Sequence, residues 1–397
     1  MALEHWIKLQ LALGAGCRRM NEAIAYFESA QHLFEAGEYE WKLSGIFTSS
    51  QISKLMSVKD EQVLKVIDDC RKLGVKTVTP DSQKYPKMLK SLDDLPAVLY
   101  YQGELNFIRH KIAIAVVGTR EADDNSLAVA KSLSASLTRS GAIVVSGGAL
   151  GVDSAAHLGA LDVGGRTLAV LGNGFGSNYL MANEDLRARI ALNGAVVTEY
   201  PPYTPAVSRN FPIRNRIISG LSHGTVVIEA GVKSGSLITA NLALEQGRDV
   251  FAVPGDVLDS SFSGVNKLIS DGATAVFSAS DILDGYAVKY PFALDVEKIE
   301  RELTLAGTVK NINTKERHPE PKTKAVEDQI SFFAQADLSG LSDTSKTIIE
   351  VFGSEPVHID DIIRKTGLTM PKVLSSLTEL ELSGLISPQA GKFYRKI

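Results

Sequence analysis

The chain has 397 residues, of which 44% are hydrophobic and 22% are charged, and its net charge at pH 7 is −4. This length predicts two or three domains, and the composition is that of a globular protein rather than a disordered one. The acidic balance excludes a protein coated in positive charge, so any basic residues that bind nucleic acid must be concentrated locally.

The two cysteines, Cys17 and Cys70, are isolated, and no Cys/His group has the spacing of a metal site. We therefore expect no bound metal, and two unpaired thiols are typical of the reducing cytoplasm. The N-terminus lacks the basic start and unbroken apolar run of a signal peptide, and no stretch is long and apolar enough to span a membrane. These features predict a cytoplasmic protein without membrane insertion.

Residues 1–74 carry apolar side chains at helical spacing and are predicted to form a helical domain, with Gly14 and Gly16 at a tight turn. Residues 75–105 are a short, proline-punctuated connector, partly extended in VKTVTP and LPAVLYYQG. We expect this connector to fold onto the domain that follows it.

Between residues 106 and 290, apolar runs alternate with helical stretches. The runs are IAIAVVG, AIVVSGG, TLAVLG, AVVTEY, TVVIEA and DVFAVPG. Buried strands joined by helical crossovers form a mostly parallel sheet with helices on both faces. The pattern predicts a doubly wound, Rossmann-like α/β domain.

Residues 291–338 lose this periodicity and are polar, so they are predicted to be a flexible linker. Residues 339–397 regain order as three short helices and a small hairpin, with Gly391 at the turn of the hairpin. This is the outline of a winged-helix domain. Its seven basic and seven acidic residues from Leu341 onward leave no surplus for strong phosphate contacts, which favours a protein-interaction or weak auxiliary role.

Ligands of open parallel sheets bind at the carboxyl ends of the strands, where glycine turns and helix N-termini present free N–H groups. Three such loops are predicted to hold phosphate: Gly118, Thr119 and Arg120; Ser146, Gly147 and Gly148; and Lys233, Ser234 and Ser236. Arg120 adds a forked donor to the first loop.

The segment 209–216 is the most informative, because Arg214, Asn215 and Arg216 stand at the start of an amphipathic helix. Arginines in a first helical turn oppose the helix dipole, and a bound anion would reverse that cost. We therefore expect Arg120, Arg214, Arg216 and Lys233 to form a single phosphate-binding rim.

Other residues have a structural interpretation beside the functional one. Phe175 and Tyr179 are suited to stack on bases, although packing is the commoner role. His157 is more often a packed histidine than a general base, and Asp153, Glu199 and Glu229 are more often ion-pair partners than catalytic acids. The dinucleotide fingerprint, the P-loop, and the GxSxG and HExxH motifs are all absent. We expect no catalytic residue and no cofactor.

The runs VVGTR, SGGALGVDSAAHLGAL, FPIRNRIISGLS, KSGSLITANLALEQGRDVFAVPG and SGVNKLISDGA resemble, in order and spacing, the signature blocks of the DprA/Smf family. The N-terminal segment is similar to that family's SAM-like helical domain, and the C-terminal segment to its winged helix. The resemblance implies a homodimeric binder of single-stranded DNA that protects incoming strands during natural transformation and helps load the RecA recombinase. It also implies a binding role for Asn183, although the turn before Asn183 lacks the proline that is usual in the family.

The alternative is a nucleotide-phosphate-binding hydrolase of the LOG/lysine-decarboxylase-like type, because related folds also cradle phosphate at strand ends. The PGGxGTxxE motif of those enzymes is missing here, and the nearest text, residues 252–256, lacks the second glycine and the glutamate. A sensor of a small nucleotide is a third interpretation.

Overall fold

A computed structural model describes residues 2–179, 181–301, 342–353, 357–383, 385–389 and 393–396. The chain divides into two units, Met1–Lys310 and Asn311–Ile397. The first unit holds a helical region, a connector and an α/β layer, and the second holds three helices and a small sheet.

The helical region begins with a tight turn between two helices, as predicted, because Gly14 and Gly16 both adopt positive φ (78° and 70°). Trp6, Ile7 and Leu9 from the first helix are buried in its core. The five helices are α1 (Ala2–Leu13), α2 (Met20–Phe27), α3 (Ala30–Leu43, broken at Gly37), α4 (Ser49–Ser57) and α5 (Asp60–Lys72).

The α/β layer is a nine-stranded sheet in the order β1-β2-β6-β5-β4-β3-β7-β8-β9. Strands β3 to β9 are parallel, and the connector adds β1 and β2 antiparallel at one edge. The strands are β1 (Lys76–Val78), β2 (Leu99–Gly103), β3 (Ala113–Val117), β4 (Ile143–Ser146), β5 (Thr167–Leu171), β6 (Ala195–Thr198), β7 (Gly224–Val227), β8 (Asp249–Ala252) and β9 (Thr274–Ala275).

Helices cover both faces of this sheet, because alternate residues of the central strand enter different cores. Ala113, Ala115 and Val117 pack on the face that also carries the helical region, whereas Ile114 and Val116 pack on the other face. The helices are α6 (Asp124–Arg139), α7 (Val152–Asp162), α8 (Glu184–Asn193), α9 (Asn210–Gly220), α10 (Gly235–Glu245), α11 (Ser263–Ser270) and α12 (Ser280–Lys289).

The strand order reverses beside β3: the chain continues outward through β4, β5 and β6 on one side and through β7, β8 and β9 on the other. Such a switch point opens a crevice at the carboxyl ends of the two central strands, which here are β3 and β7. The fold therefore places the loops after these strands side by side.

The predicted linker starts later along the chain than the sequence indicates. Leu294 and Ile299 are buried in the core beneath α6 and α12, and the carboxylate of Glu300 accepts a hydrogen bond from Arg139 Nη1 at 2.6 Å. The linker prediction was wrong for residues 291–301, because Leu294 and Ile299 are two isolated apolar residues that make no periodic pattern in the sequence. These two buried residues are called the anchors below. Residues 302–338 of the predicted linker lie outside the described residues.

The second unit packs its helices around Ile348, Ile362, Val373 and Leu377. Its helices are α13 (Asp343–Ile349), α14 (Ile359–Thr366) and α15 (Met370–Leu382), and its antiparallel strands are β10 (Val357–His358), β11 (Ile386–Gln389) and β12 (Phe393–Lys396). The predicted fold class, a doubly wound α/β layer with a helical N-terminal region and a C-terminal winged helix, is confirmed. Gly391, predicted at the turn of the wing, lies outside the described residues.

Candidate functional site

A cleft of about 410 Å³ opens at the switch point, between the loop after β3 and the start of α10. Half of the fourteen predicted site residues line it, which agrees with the expectation that the strand-end loops converge. Those residues are Gly118, Thr119, Arg120, Arg214, Asn215, Ser234 and Ser236.

An aromatic ring stands at the centre of the cationic side of the cleft. The Arg120 guanidinium lies 5.0 Å from the ring centroid of Phe211, and the Arg214 guanidinium lies 5.9 Å from it. The ring of Tyr179 is 5.4 Å away, and Phe211 packs directly over Gly172, where a Cβ atom would come within 2.8 Å of the ring. Phe211 is thus held in place by packing, with two cations close to its ring.

Arg214 is almost completely buried, with 5% of its surface exposed, yet it faces the cleft. Burial lowers the pKa of Arg214, the carboxylate of Asp153 opposes that shift, and the neighbouring charge of Arg120 adds to it. The Nε atom of Arg214 is buried without a hydrogen-bond partner. A buried donor without a partner costs about 1–3 kcal/mol of folding stability. Arg214 therefore has hydrogen-bonding capacity that the protein itself does not use, and an anion in the cleft would lie beside its positive charge.

The second predicted phosphate loop already holds an anion that belongs to the protein. Asp153, in the first turn of α7, is buried, and its carboxylate accepts hydrogen bonds from the N–H groups of Gly147 (3.1 Å) and Ala149 (3.3 Å). Burial raises the pKa of Asp153, and the charge of Arg214 opposes that rise. The prediction that the N–H group of Gly147 binds an external phosphate is therefore wrong.

Ser146 and Asn183 stabilise the same loop instead of facing the cleft. The Ser146 hydroxyl is fully buried and donates to the Val116 carbonyl at 2.7 Å. The Asn183 amide donates to the carbonyl of Gly148 (3.2 Å) and to the hydroxyl of Ser154 (3.0 Å). Their predicted contacts with DNA are replaced by internal hydrogen bonds, and Gly148 also stands back from the cleft lining.

The start of α10 forms the opposite wall of the cleft. Ser234 caps the helix, and its hydroxyl lies 2.8 Å from that of Ser236. The Asn215 amide donates to the carbonyl of Gly235 at 3.3 Å and so ties α9 to this turn. Lys233 precedes the cap, is exposed, and forms no ion pair within the described part of the chain. The positive end of the α10 dipole and Lys233 together favour an anion at this wall.

Arg216 does not belong to the rim. It is buried, and its Nη2 atom donates to both carboxylate oxygens of Glu199 at 2.8 Å. Its Nε atom forms an ion pair with Asp94 at 3.1 Å, but the geometry of that contact is not that of a hydrogen bond. The prediction was wrong because residues two apart on a helix point about 200° apart. Arg214 also lies in the second turn of α9, which begins at Asn210, so the argument from the helix dipole does not apply to it.

Phe175 is buried in the main core, and its predicted stacking role is wrong for that reason. The aromatic residue of the cleft is Phe211, which the sequence analysis placed in the right segment but did not single out. Its position directly before a cluster of arginines was the available signal. Asp153 was considered only as an acid or an ion-pair partner. No signal in the sequence shows that its carboxylate accepts the hydrogen bonds of the glycine loop.

Two of the groups weighed for acid–base chemistry, His157 and Glu229, lie outside the cleft lining. His157 is fully buried, its Nδ1 atom lies 2.8 Å from the Thr167 hydroxyl, and burial together with the charge of Arg214 lowers its pKa to about 3. Glu229 is buried and lies outside the cleft lining. Among the described residues, no group of His, Cys, Asp or Glu is arranged to hold a metal ion. No helix in the same residues combines the length and apolar character needed to cross a bilayer.

Comparison with known families gives two matches. A family model described as DNA recombination-mediator protein A matches residues 76–287, and a model of the DprA winged helix domain matches residues 334–392. Protein Smf of Synechocystis sp. is 33% identical over 407 residues, which cover 99% of this chain and 98% of that protein. DNA processing protein DprA of Bacillus subtilis is 41% identical over 55% of this chain and 74% of that protein.

Two solved structures share the fold. DNA processing protein A from Streptococcus pneumoniae matches with a TM-score of 0.63 and 32% identity, over 72% of this chain and 98% of that one. DNA processing protein A from Helicobacter pylori, which has a unique single-stranded DNA binding mode, matches with a TM-score of 0.50 and 29% identity, over 54% of this chain and 97% of that one.

Proposed function

This chain belongs to the DprA/Smf family of DNA-processing proteins, and from that premise we propose that it binds single-stranded DNA in the cleft at the switch point of its sheet. The strand is held through its phosphates, without sequence preference, because phosphate contacts carry no sequence information. The single-stranded DNA binding of the Helicobacter pylori relative supports this assignment.

The observation that carries the proposal is the set of Arg120, Phe211 and Arg214. Two guanidinium groups lie 5.0 and 5.9 Å from the centroid of one fixed aromatic ring, and the nearly buried Arg214 keeps an Nε atom without a hydrogen-bond partner. Guanidinium groups make strong charge-assisted bonds to phosphate, and the partly exposed ring of Phe211 offers a stacking surface for an unpaired base. A duplex keeps its bases stacked inside, so this arrangement favours the single strand.

The proposed mode of action is binding rather than hydrolysis. In the described lining, the hydroxyls of Ser234 and Ser236 bond to each other, and no hydroxyl bonds to a histidine or to a carboxylate that would activate it. A nucleophile needs such a base within hydrogen-bond reach. The hydrolase alternative therefore lacks a supporting contact.

The direct test is fluorescence anisotropy with labelled single-stranded and duplex oligonucleotides of the same length over a range of salt concentrations. We expect tighter binding of the single strand and an affinity that falls steeply with salt. Equal or tighter binding of the duplex would refute the proposal. Release of a free base from a nucleoside monophosphate, assayed in parallel and lost in Glu229→Gln, would favour the hydrolase.

At the level of the cell, the protein acts in the cytoplasm as a homodimer that protects incoming strands during natural transformation and helps load RecA onto them. The family membership supports this role, and so does the single-stranded DNA binding of the Helicobacter pylori relative. The test is the rate of RecA filament formation on DNA coated with single-strand-binding protein, with and without the chain. If the chain binds DNA but does not accelerate RecA filament formation, the recombinase-loading part of the proposal fails and the DNA-binding part remains.

A further inference from the structure

A second concave surface lies at the amino ends of the parallel strands, opposite the carboxyl ends at which the cleft opens. This basic groove has a volume of about 650 Å³ and is formed by residues 81–90 of the connector, by residues 105–112 before β3, and by the turn between α9 and β7. The cleft follows the carboxyl ends of β3 and β7, whereas the groove precedes their amino ends. The two surfaces are therefore separate.

The rim of the basic groove is strongly cationic. Five basic side chains and one carboxylate, that of Asp81, line it, and all six are exposed. In the described part of the chain, none of the five forms an ion pair, and Glu104, which lies near Lys84, is paired with Lys76 instead. The basic residues are Lys84, Lys87, Lys90, Arg109 and Lys111.

This concentration of charge contrasts with the rest of the molecule. The net charge of the chain is −4, and in the cleft Arg120 and Arg214 are accompanied by Glu121 and Asp153. Unpaired cations at high local density repel one another, and a polyanion that neutralises them releases its own counterions on binding. The basic groove thus offers more uncompensated positive charge than the cleft itself.

The geometry of the groove fits a flexible strand. His110 adopts a left-handed backbone conformation (φ 59°), which is uncommon outside glycine, and its neighbours Arg109 and Lys111 are exposed and line the groove. The buried side chains of Leu105 and Leu221 line the groove, and so does the ring of Tyr290, which is 37% exposed. A positively charged groove with an accessible aromatic ring on which a base can stack is the usual form of a single-strand site.

We infer that the basic groove is a second contact for the DNA strand that occupies the cleft. A long single strand would then contact the protein at both ends of the central strands β3 and β7. The inference rests on the proposed function of the cleft. Helix α9 runs between the two surfaces: Phe211, near its start, lines the cleft, and Leu221, directly after its end, lines the groove. The 11 residues of the helix span about 16 Å at 1.5 Å per residue, so a strand that contacts both Phe211 and the groove must be long enough to follow the surface over at least this distance.

Oligonucleotide length therefore separates the two surfaces. An oligothymidine of about six nucleotides fills one contact only, whereas one of about thirty nucleotides reaches both. The test variant is Lys87→Gln with Lys111→Gln, and the matched control is Lys54→Gln with Lys65→Gln, which removes two exposed, unpaired lysines from the helical region. Arg120→Ala is measured beside them to report on the cleft.

We expect the groove variant to bind the long oligothymidine about tenfold or more weakly, with a salt slope shallower by about 1.4, because each lost phosphate contact contributes about 0.7. Binding of the short oligothymidine and the melting temperature should not change, and the control variant should bind both lengths as the parent does. Arg120→Ala should weaken both lengths.

Unchanged binding of the long oligothymidine by the groove variant would overturn the inference, and so would an equal loss at both lengths. Polyglutamate serves as a second probe: if the groove variant loses only polyglutamate binding, the groove belongs to an acidic protein partner and the inference fails. If Arg120→Ala leaves short-strand binding intact, the cleft assignment fails, and with it the inference that the groove extends the cleft; a loss of long-strand binding in the groove variant would then identify the groove as a DNA contact of its own. If the parent protein binds neither oligothymidine, both proposals fall.

Discussion

A Cβ atom on Gly147 would lie 1.7 Å from Nη1 of Arg214, so the buried guanidinium occupies the space that a side chain at this position would take. The same Cβ atom would lie 2.6 Å from Oδ2 of Asp153. The glycine is needed here for this close approach, because the loop amide, the carboxylate and the guanidinium pack into one volume.

Gly147→Ala should therefore weaken single-stranded DNA binding by about tenfold or more, because the methyl group displaces the Arg214 guanidinium and removes at least one charge-assisted bond to phosphate. The measurement is anisotropy titration at fixed salt, together with the melting temperature. The matched control is Gly235→Ala at the opposite wall, where an added Cβ atom meets nothing within 4 Å. Normal affinity in Gly147→Ala would show that Arg214 does not contact the strand.

Arg120→Ala should weaken binding by about tenfold to a hundredfold and make the salt slope shallower by about 0.7, the value for one phosphate contact on a single strand. Arg120 is exposed, stacks on Phe211 and forms no ion pair in the described part of the chain, so its removal should leave folding unchanged. Ser234→Ala in the same cleft should weaken binding less and keep the slope. An Arg120→Ala protein that binds normally but melts several degrees lower would identify Arg120 as a structural residue.

Arg216→Met should act on stability instead. It leaves the buried carboxylate of Glu199 without its main partner, and breaking a buried ion pair costs about 3–5 kcal/mol of unfolding free energy. Adding Glu199→Gln should recover part of this loss, because the uncompensated charge disappears. Both tryptophans, Trp6 and Trp41, lie in the first unit, so urea denaturation followed by tryptophan fluorescence reports on it. A DNA affinity that falls while stability stays constant would return Arg216 to the binding site.

The sequence was sufficient to predict the fold, because buried strands and amphipathic helices carry strong periodic signals. Each of the six apolar runs in the α/β region overlaps a strand of the observed sheet, from Ala113–Val117 to Asp249–Ala252. The signal failed where structure depends on single contacts, as at Leu294 and Ile299, which are buried without belonging to any repeat.

The site was predicted in outline and not residue by residue. Converging loops follow from the topology of a parallel sheet, and they brought Arg120, Arg214 and Ser234 together as expected. The sequence does not reveal whether the N–H groups of a loop already have a hydrogen-bond partner within the protein. Here the carboxylate of Asp153 accepts hydrogen bonds from the N–H groups of Gly147 and Ala149, which had appeared free to bind phosphate. The separation of Arg214 from Arg216 was open to prediction, because helical geometry alone places them on different faces.

The stability of the first unit should depend on pH through His157. The unfolded imidazole binds a proton near pH 6.5, whereas the buried ring does so only near pH 3, so between these values the unfolded state holds more protons. The free energy of unfolding therefore falls as the pH drops below about 6.5, by about 2 kcal/mol at pH 5 from this group. Full stability from His157 is present above about pH 6.5.

His157→Asn keeps a donor for the Thr167 hydroxyl but cannot titrate, so its unfolding free energy should fall less between pH 7.5 and pH 5 than that of the parent, by about 2 kcal/mol. Urea denaturation at the two pH values measures the difference, and contributions from other groups cancel in the comparison. Identical pH dependence in the two proteins would mean that His157 gains protons equally in both states.

Removal of the second unit should leave DNA binding largely intact. A chain that ends at Lys310 keeps the cleft, the basic groove, and the anchors Leu294 and Ile299, and it loses residues 311–338 of the predicted linker together with a winged helix whose charges balance. We expect its affinity for single-stranded DNA to stay within about threefold of the full chain, since a domain without surplus positive charge adds little to phosphate binding. A chain that ends at residue 290 is the contrasting variant: it loses both anchors and the bond between Arg139 and Glu300, and it should melt at a lower temperature. Loss of most affinity in the longer truncation, with an unchanged melting temperature, would make the winged helix a principal DNA contact.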